Sequence, residues 1–572
     1  MHTGTTRALI RENAYHVGMF RRRRYRDPEL NPDEIFLDAS NLPAFNQNSL
    51  EGRLEKPISR STYLGLALSV VLIFGALVAQ AANLELMKGA AYASQSERNR
   101  LRPEVLFAQR GAILDRNGEA LVSNIESEDG SIRRSYASPG FAHVLGYVSY
   151  PRKDSSGNYY DTEITGVAGV EAAFNSQLAG ENGTLLVEED ARGNVQSQGS
   201  VKATKNGEPV TLSIDARAQR AFHRAIQELA DKIPYQGGAG VLMDIHTGEV
   251  IAMASYPEYD PNILSAGGPG DVIASYSTDP RQPYLDRPVT GLYTPGSIVK
   301  PLITAGAMTD GIITPEVSIF SKGYISLPNP YDPSKPSIFK DWKALGAMNM
   351  RSAIAWSSDV YFYSITGGFD GQRGLGIERL GYWYKAFGLD KETGIELAGE
   401  KSGFIPNPAW KERVIGEPWR IGDTYNTGIG QYAVQITPLE AARSIAAIAN
   451  GGTLVKPTLI TGKSVPGEKV PASAESLQVA REGMRLGTTE GTSLGLNDLS
   501  YARVAGKTGT AQLGVYNEYY NTWAVGFFPY EKPKYVYAVV MERGPAGTSV
   551  GGVYVMHQFL SELHATAPEY FE

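Results

Sequence analysis

The sequence predicts an α/β fold, an antiparallel sheet flanked by helices, with one transmembrane helix ahead of it. Two observations carry the prediction for the folded part. GVLMDIHTGEVIAMAS places apolar runs on either side of Asp244–Gly248, which is typical of two paired strands, and leaves His246 in an exposed turn. ARAQRAFHRAIQELADKI, over residues 216–233, has helical apolar spacing with a charged opposite face. A helix, a hairpin, a long helical middle and final strands together indicate an α/β sandwich.

The third observation is a charge-free apolar segment that runs from Tyr63 to Ala82. At about 1.5 Å per residue, a helix of this length spans a bilayer core of about 30 Å. A cleavable signal peptide is the alternative, because Ala79-Gln80-Ala81 resembles a cleavage site. The long preceding segment and the length of the apolar run favour a retained anchor in contact with membrane lipid.

Residues 1–60 mix arginine clusters with acidic residues and have little apolar periodicity, which predicts a mostly disordered tail. Basic residues close to the helix do not fix its orientation, since residues 43–62 carry three and residues 83–102 carry four. The run Arg21–Arg24 favours a cytoplasmic N-terminus and an extracytoplasmic C-terminal part. Attraction of this run to anionic lipid headgroups is a further possibility.

Composition argues against several classes of function. The net charge of −7 gives no basic field for nucleic acid. The chain has no cysteine, and its seven histidines lack any metal-ligand spacing, so a metal enzyme is not expected. Nearer the N-terminus, Asn117-Gly118 between two apolar stretches predicts a second hairpin.

Three short motifs together indicate a serine-lysine acyl transferase. In the first, YTPGSIVKP, a helix beginning near Ser297 brings Ser297 and Lys300 onto one face, where the amine can take the hydroxyl proton. Pro301 supports a helix start there, although a proline disfavours helical dihedrals at Lys300. The first turn also offers N–H groups to an oxyanion.

The second motif is Ser357-Ser358-Asp359 in a helix-like context, and the third is Lys507-Thr508-Gly509-Thr510 in VAGKTGTAQ. Gly506 and Gly509 are expected to let this strand approach a ligand. Alone, the second motif could cap a helix and the third could be an edge-strand turn. S-x-x-K, S-D-N and K-T-G in this order form the set of penicillin-binding proteins and class A β-lactamases, and here aspartate replaces asparagine as the third residue of the second motif. No histidine stands where a Ser-His-Asp triad would need it.

The chain resembles the class B penicillin-binding proteins over nearly all of its length beyond the tail. GAILDRNGEALVSN, GVAGVEAAFNSQLAGENGTLLVEEDARGN, NTGIGQYAVQITPLEAA and WAVGFFP are similar to successive family segments. FKDWKALGAMNMRSAIAWSSDVYFY and NPAWKERVIGEPWRIGDTYNTGIGQ resemble the elongation-type, penicillin-binding protein 2-like subgroup. The resemblance implies a tail over 1–60, a transmembrane helix over 61–82, a short, mostly β pedestal over 83–205 that lacks most of its head, and a transpeptidase domain over 206–572.

The resemblance also implies a peptidoglycan D,D-transpeptidase that serves cell elongation, is inhibited by β-lactams and needs no cofactor. Ser297 would attack the D-Ala-D-Ala stem peptide with Lys300, held neutral, as base. Ser357 would relay the proton, Asp359 would orient Lys300, and cationic Lys507 with Thr508, Gly509 and Thr510 would hold the substrate carboxylate. The N–H groups of Ser297 and Thr510 would form the oxyanion hole.

A glycan polymerase must come from a partner, because residues 83–205 are too few for one, and the family implies a SEDS-type membrane glycosyltransferase. Two alternatives share some or all of the motifs. A D,D-carboxypeptidase would use water in place of the acceptor amine. A non-enzymatic β-lactam sensor would need a folded cytoplasmic output module, which the sequence of the tail does not predict.

Overall fold

A computed structural model describes residues 59–126, 132–189, 194–329, 332, 334–548 and 550–572. The prediction for the tail therefore lies almost wholly outside the described residues. The chain divides into two compact units, residues 1–97 and residues 98–572. The limits expected for the tail, the anchor, the pedestal and the transpeptidase domain stay predictions.

The first unit contains the apolar segment as helix α1, Arg60–Ala82. Ser59 caps the helix by accepting a hydrogen bond from the Thr62 amide. The side chains of α1 are exposed along almost its whole length, and the helical segment up to Met87 is long and apolar enough to cross a membrane. A π-helical turn, Asn83–Met87, follows, and helix α2 extends over Gly89–Arg100.

The second unit begins with short strands and helices. In chain order they are β1 Leu101–Leu106, β2 Ile113–Leu114, β3 Ala120–Glu126, β4 Ile132–Tyr136, α3 Ala142–Leu145, β5 Val148–Ser149, β6 Arg152–Lys153, β7 Tyr159–Asp161, β8 Thr165–Gly166, α4 Gly169–Ala173, α5 Asn175–Leu178, β9 Gly183–Glu189, β10 Val195–Lys202 and β11 Val210–Thr211. They form a three-stranded sheet β1-β9-β10, a four-stranded sheet β11-β2-β3-β4 and two small ladders, β5-β8 and β6-β7.

The hairpin predicted at Asn117-Gly118 is confirmed: β2 pairs antiparallel with β3, and Gly118 has a φ of 86° at the turn. The next connection, between β3 and β4, includes residues 127–131, which are outside the described part of the chain. Strand β4 is fixed by charge, because Arg134 and Arg110 both bond the buried carboxylate of Glu171, at 2.7 and 2.5 Å. The β3-β4 hairpin is therefore an integral part of the buried structure and not a detachable insertion.

The rest of the chain builds one five-stranded sheet and its helices. The elements up to the middle of the chain are α6 Ala216–Lys232, β12 Gly237–Asp244, β13 Val250–Tyr256, α7 Pro261–Ala266, α8 Gly270–Thr278, α9 Arg287–Thr290, a 3₁₀ turn Gly296–Val299, α10 Lys300–Thr309, β14 Ile319–Ser321, β15 Tyr324–Leu327, β16 Ser337–Lys340, β17 Gly346–Met348, α11 Met350–Ala355, α12 Asp359–Gly367 and α13 Gly376–Ala386.

The remaining elements are α14 Pro408–Ile415, α15 Ile421–Gly428, α16 Pro438–Ala449, β18 Thr453–Leu454, β19 Glu468–Lys469, α17 Ala474–Thr489, a 3₁₀ turn Leu494–Leu496, β20 Ala505–Leu513, β21 Tyr519–Phe528, β22 Tyr535–Pro545, α18 Gly552–Thr566 and a last 3₁₀ turn Pro568–Tyr570. The predicted helix at 216–233 and the hairpin around Asp244–Gly248 are thus α6 and the β12-β13 pair, and His246 is exposed as expected.

The large sheet has the order β13-β12-β22-β21-β20, and all its neighbours are antiparallel. Side chains alternate along its strands between two apolar cores. On one face, Leu242 and Tyr537 pack with helices α6 and α18. On the other face, Val241 and Ala538 pack with α10, α12 and α16. Strand β20 is an edge of this sheet, and its side facing away from β21 is open to other parts of the chain.

Candidate active site

Ser297 lies in the 3₁₀ turn Gly296–Val299, and α10 continues from Lys300. The sequence predicted a helix that starts near Ser297, and the structure has one. Lys300 adopts helical dihedrals, φ −58° and ψ −38°, in spite of the proline that follows it. Pro301 is in the first turn of α10, where its missing N–H has no partner to lose. The Ser297 side chain is partly exposed, whereas Lys300 is buried.

Backbone contacts hold this turn in place. The Gly296 amide donates to the Gly430 carbonyl over 2.9 Å. A side chain at Gly296, which has a φ of 58°, would collide with the Thr510 peptide, its Cβ coming within 2.7 Å of the carbonyl oxygen. Ahead of the turn, Trp523 donates through Nε1 to the carbonyl of Thr294 over 3.0 Å. Contacts of the main chain at Thr294 and Gly296, and not of the Ser297 side chain, therefore place Ser297 beside strand β20.

Lys300 is joined to the second motif. Its Nζ donates to Asp359 Oδ1 over 2.6 Å, to the carbonyl of Ser357 over 2.7 Å, and to Ser357 Oγ over 3.4 Å. In the described part of the chain, the Ser297 hydroxyl has no hydrogen-bond partner, so the direct contact with Lys300 expected from the sequence is not formed. The Lys300 amine is instead held by Asp359.

Ser357 lies between α11 and α12 and has a φ of 58°, which is uncommon for a residue other than glycine. Backbone strain of this kind is frequent where a side chain must point into a site. Ser357 Oγ accepts a hydrogen bond from Lys507 Nζ over 2.8 Å. Its neighbour Ser358, not Ser357, caps α12 by accepting from the Tyr361 amide.

Burial and neighbouring charges shift the pKa values of two groups in this cluster. Burial lowers the pKa of Lys507 well below its usual value, and the nearby Lys300 ammonium lowers it further. Burial also raises the pKa of Asp359, while the Lys300 ammonium opposes this rise. Lys507 is expected to act as a cation towards the substrate carboxylate, and in the absence of that carboxylate its surroundings lower its pKa. An incoming carboxylate would restore the charge by raising the pKa of Lys507.

Lys507, Thr508, Gly509 and Thr510 lie on the edge strand β20. Gly509 does not face a ligand as expected, because a Cβ there would lie 2.6 Å from the Pro295 carbonyl, in the segment that leads into the Ser297 turn. At Gly506 a Cβ would meet the Tyr537 hydroxyl at 2.9 Å. The expectation for both glycines was therefore wrong: they let the strand approach other parts of the protein.

The amide of Thr510 is aimed at the open edge. The carbonyl of Thr510 accepts a hydrogen bond from the Gln431 side chain over 3.2 Å and so points away from β21. In a strand, the N–H and C=O of one residue point to the same side. The Thr510 N–H therefore faces the Ser297 turn, whose first-turn amides have no partner within the helix. The N–H groups of Ser297 and Thr510 can stabilise an oxyanion.

Three residues near the motifs were not singled out from the sequence. Asp341 is buried and accepts from Ser358 Oγ and the Val360 amide, over 2.8 and 3.1 Å, so it fixes both neighbours of Asp359. Thr492 accepts from Thr508 Oγ1 over 2.6 Å, and Gln431 holds Thr510. The sequence around these three residues does not indicate such roles, because each role depends on a partner in another segment of the chain.

Among the described residues, no group of three or more histidine, aspartate or glutamate side chains is arranged to hold a metal ion. The chemistry at hand is that of hydroxyls, amines, a carboxylate and backbone amides. An antiparallel sheet with a serine-lysine cluster at its edge strand defines a serine acyl transferase.

The penicillin-binding protein transpeptidase domain matches residues 238–557, and the penicillin-binding protein dimerisation domain matches residues 125–212. Because the first match covers more than half of the chain, this chain belongs to the penicillin-binding protein transpeptidase family. The expected fold, a penicillin-binding and serine β-lactamase-like domain with an antiparallel sheet, is confirmed.

Peptidoglycan D,D-transpeptidase MrdA of Haemophilus influenzae is 33% identical over 448 residues, which are 71% of this chain and 66% of that protein. The chain thus spans slightly less than two thirds of that relative. Penicillin-binding protein PBP2 of Helicobacter pylori, solved in complex with MreC, has a TM-score of 0.67 and 25% identity, covering 82% of this chain and 99% of that one. A chain of a peptidoglycan synthase complex has a TM-score of 0.67 and 28% identity, with 89% and 98% covered.

Proposed function

We propose that this chain is a peptidoglycan D,D-transpeptidase that uses Ser297 as its nucleophile. One observation carries the proposal: Lys300 and Lys507, from distant parts of the chain, both donate to Ser357 Oγ, beside the turn that presents Ser297. The named relatives that catalyse D,D-transpeptidation support the same substrate class. The roles below follow from the chemistry of acyl transfer and from these contacts.

In acylation, Ser297 Oγ forms a bond to the carbonyl carbon of the penultimate D-Ala, and the amide bond to the terminal D-Ala breaks. Lys300, which must be the neutral amine for this step, accepts the Ser297 proton when the substrate is bound. The Ser297 and Thr510 amides stabilise the negative charge on the carbonyl oxygen. Ser357 Oγ accepts from both amines, so it can pass its own proton to the nitrogen of the departing D-Ala and take in exchange the proton that Lys300 removed from Ser297.

Before this step, the terminal carboxylate of the stem peptide binds Lys507, Thr508 and Thr510. A carboxylate there favours the charged form of Lys507, which the empty site disfavours. In the second step, the amine of a neighbouring stem peptide attacks the acyl ester, Ser297 leaves with a proton, and a new amide cross-links the two stems. Asp359 orients Lys300 throughout.

A β-lactam resembles the D-Ala-D-Ala amide, and we expect it to form a stable ester at Ser297. Fluorescent penicillin and mass spectrometry of the full-length protein test this assignment. The Ser297→Ala variant should not label, whereas Ser275→Ala, on the exposed helix α8, should label as the native protein does. An adduct on Ser357 or on another residue would contradict the assignment.

A D,D-carboxypeptidase would form the same ester but pass it to water, so acylation cannot separate the two activities. Product analysis with a D-Ala-D-Ala donor and an amine acceptor does so. Cross-linked dimer as the main product supports transpeptidation, while tetrapeptide and free D-Ala alone would establish the carboxypeptidase.

The proposal includes a setting in the cell envelope. Elongation and cell shape are the process, by likeness to the relatives named above. Helix α1 anchors the protein in the cytoplasmic membrane, with the N-terminus cytoplasmic and the catalytic unit extracytoplasmic. The polymerase partner is a SEDS-type membrane glycosyltransferase. Co-purification of the two proteins tests the partner, and protease accessibility in spheroplasts tests the orientation.

A further inference from the structure

Lys343 stands out among the lysines of the second unit because two indole rings hold its ammonium group. Its Nζ lies 4.4 Å from the ring centroid of Trp342 and 4.4 Å from that of Trp356. Trp342 is fixed in turn, since its Nε1 donates to the carbonyl of Trp356 over 2.9 Å. Cation–π contacts with two tryptophans localise a side chain that would otherwise be free to rotate.

The ammonium group has no anionic partner among the residues that the structure describes. Lys343 is exposed, and in the described part of the chain no carboxylate forms an ion pair with it. The adjacent carboxylate, Asp341, is buried and faces elsewhere: it accepts from Ser321 Oγ, Ser358 Oγ and the amides of Trp342 and Val360. A localised, solvent-accessible cation without a counter-ion is suited to bind an anion from solution.

Both tryptophans connect this cation to the catalytic cluster. Trp356 directly precedes Ser357, the hydroxyl that accepts from Lys300 and Lys507. Trp342 directly follows Asp341, which holds the residues on either side of Asp359. The Lys343 ammonium is therefore carried on the same two segments that build the second motif.

We propose that Lys343, in its cradle of Trp342 and Trp356, binds a carboxylate of the stem peptide other than the terminal carboxylate of D-Ala-D-Ala. This inference rests on the proposed transpeptidase function and specifies its substrate. The carboxylate belongs either to the donor stem, upstream of the scissile amide, or to the acceptor stem. Each of these has its own kinetic step, so the two sources can be measured separately.

The test uses the full-length protein and paired synthetic peptides. Two donors end in D-Ala-D-Ala and differ only in a side-chain carboxylate or carboxamide on the preceding residue. Two amine acceptors differ in the same way. For the donor pair, the rate of D-Ala release gives kcat/KM of acylation. For the acceptor pair, the yield of cross-linked product gives the efficiency of acyl transfer.

The native protein should favour the carboxylate form in one of the two steps by about fivefold, the factor for an exposed ion pair of about 1 kcal/mol. Lys343→Gln should abolish that preference, and Lys343→Arg should keep it. The preference should also weaken in about 1 M salt, where the screening length is about 3 Å. Lys232→Gln is the matched control, because Lys232 lies over a single ring, Tyr554, on helix α6 at the other face of the sheet.

Equal preferences in the native protein and Lys343→Gln, in both steps, would overturn the proposal. Penicillin labelling of the native protein and of Lys343→Gln distinguishes a failure of this proposal from a failure of the proposed transpeptidase function. Labelling of Ser297 should be unchanged in Lys343→Gln, because a penicillin carries no second carboxylate of this kind. If the native protein neither labels at Ser297 nor releases D-Ala, the proposed function fails instead.

Discussion

Lys507 Nζ and Ser357 Oγ are 2.8 Å apart, and the amine is the donor. Because Lys300 approaches the same oxygen at 3.4 Å, Ser357 accepts from both sides and keeps its proton for a third group. A hydroxyl held in this way can deliver a proton to a leaving nitrogen.

Substitution of Ser357 by alanine should remove the proton relay and leave the nucleophile. General acid–base catalysis contributes about 10² to 10⁴ in rate, so kcat/KM for peptide acylation should fall by at least about 10². D-Ala release and thermal unfolding measured on the same preparation check this. Loss of activity together with a lower unfolding temperature would mean that Ser357→Ala had only disturbed the fold.

Lys300→Arg should abolish acylation, because a guanidinium cannot give up its proton at working pH. The ion pair with Asp359 would survive in this variant, so a purely structural role of Lys300 predicts retained activity. Stopped-flow acylation by a chromogenic β-lactam is the measurement. A rate near that of the native protein would show that another group is the base.

Lys300→Met should raise the pKa of Lys507. A neighbouring cation disappears, and this loss favours the charged form of Lys507. Chemical shifts of ¹³C-labelled lysine side chains, followed over pH, report the pKa. Lys232→Met serves as control, and a Lys507 pKa that stays unchanged in Lys300→Met would contradict the coupling.

Gly509→Ala should slow acylation by about 10², because its Cβ would push the edge strand away from the segment that carries Ser297, and small misplacements cost about this much. Gly199→Ala is the matched control: it is also a strand glycine, but open space surrounds its Cβ position. Penicillin acylation rates compare the two. An effect of equal size in both variants would rule out the close contact as its cause.

Glu440 connects stability with pH. Burial raises its pKa to about 7 although it accepts from the Thr437 and Gly403 amides. Since the folded form binds the proton more tightly than the unfolded one, this contribution is present below the unfolded pKa of about 4.5 and is lost as pH rises towards 7. Glu440→Gln should remove up to about 3 kcal/mol of this pH dependence. Urea unfolding at several pH values measures the free energy of unfolding of both proteins. If this free energy depends on pH equally in the native protein and in Glu440→Gln, the raised pKa is contradicted.

Local patterns predicted the elements well. The hairpins at Asn117-Gly118 and at Asp244–Gly248, and helix α6, could be predicted because each signal is complete within a short segment. The motif residues were found for a similar reason, since residue type and order were sufficient. Contacts between segments distant in the sequence were not predictable. The main examples are the contact of Lys507 with Ser357 and the absence, among the described residues, of a hydrogen bond between Lys300 and Ser297.

The role of the glycines on β20 was mistaken for the same reason. Sequence shows that a glycine permits close approach, but only the fold shows that the Pro295 carbonyl fills the space at Gly509. The charge state of Lys507 likewise depends on burial and on Lys300, 207 positions away in the printed sequence. Asp341 belongs to none of the three motifs, although its carboxylate accepts hydrogen bonds from both neighbours of Asp359.

Strand β11 pairs in parallel with β2, so the chain returns at Val210 to the point it left at Ile113. The intervening segment therefore begins and ends at neighbouring positions, the arrangement in which proteins tolerate insertions. A change in the length of this segment would therefore leave its entry and exit points in place. A designer could exchange this segment between relatives as a module, provided that the Glu171 carboxylate keeps both of its arginines.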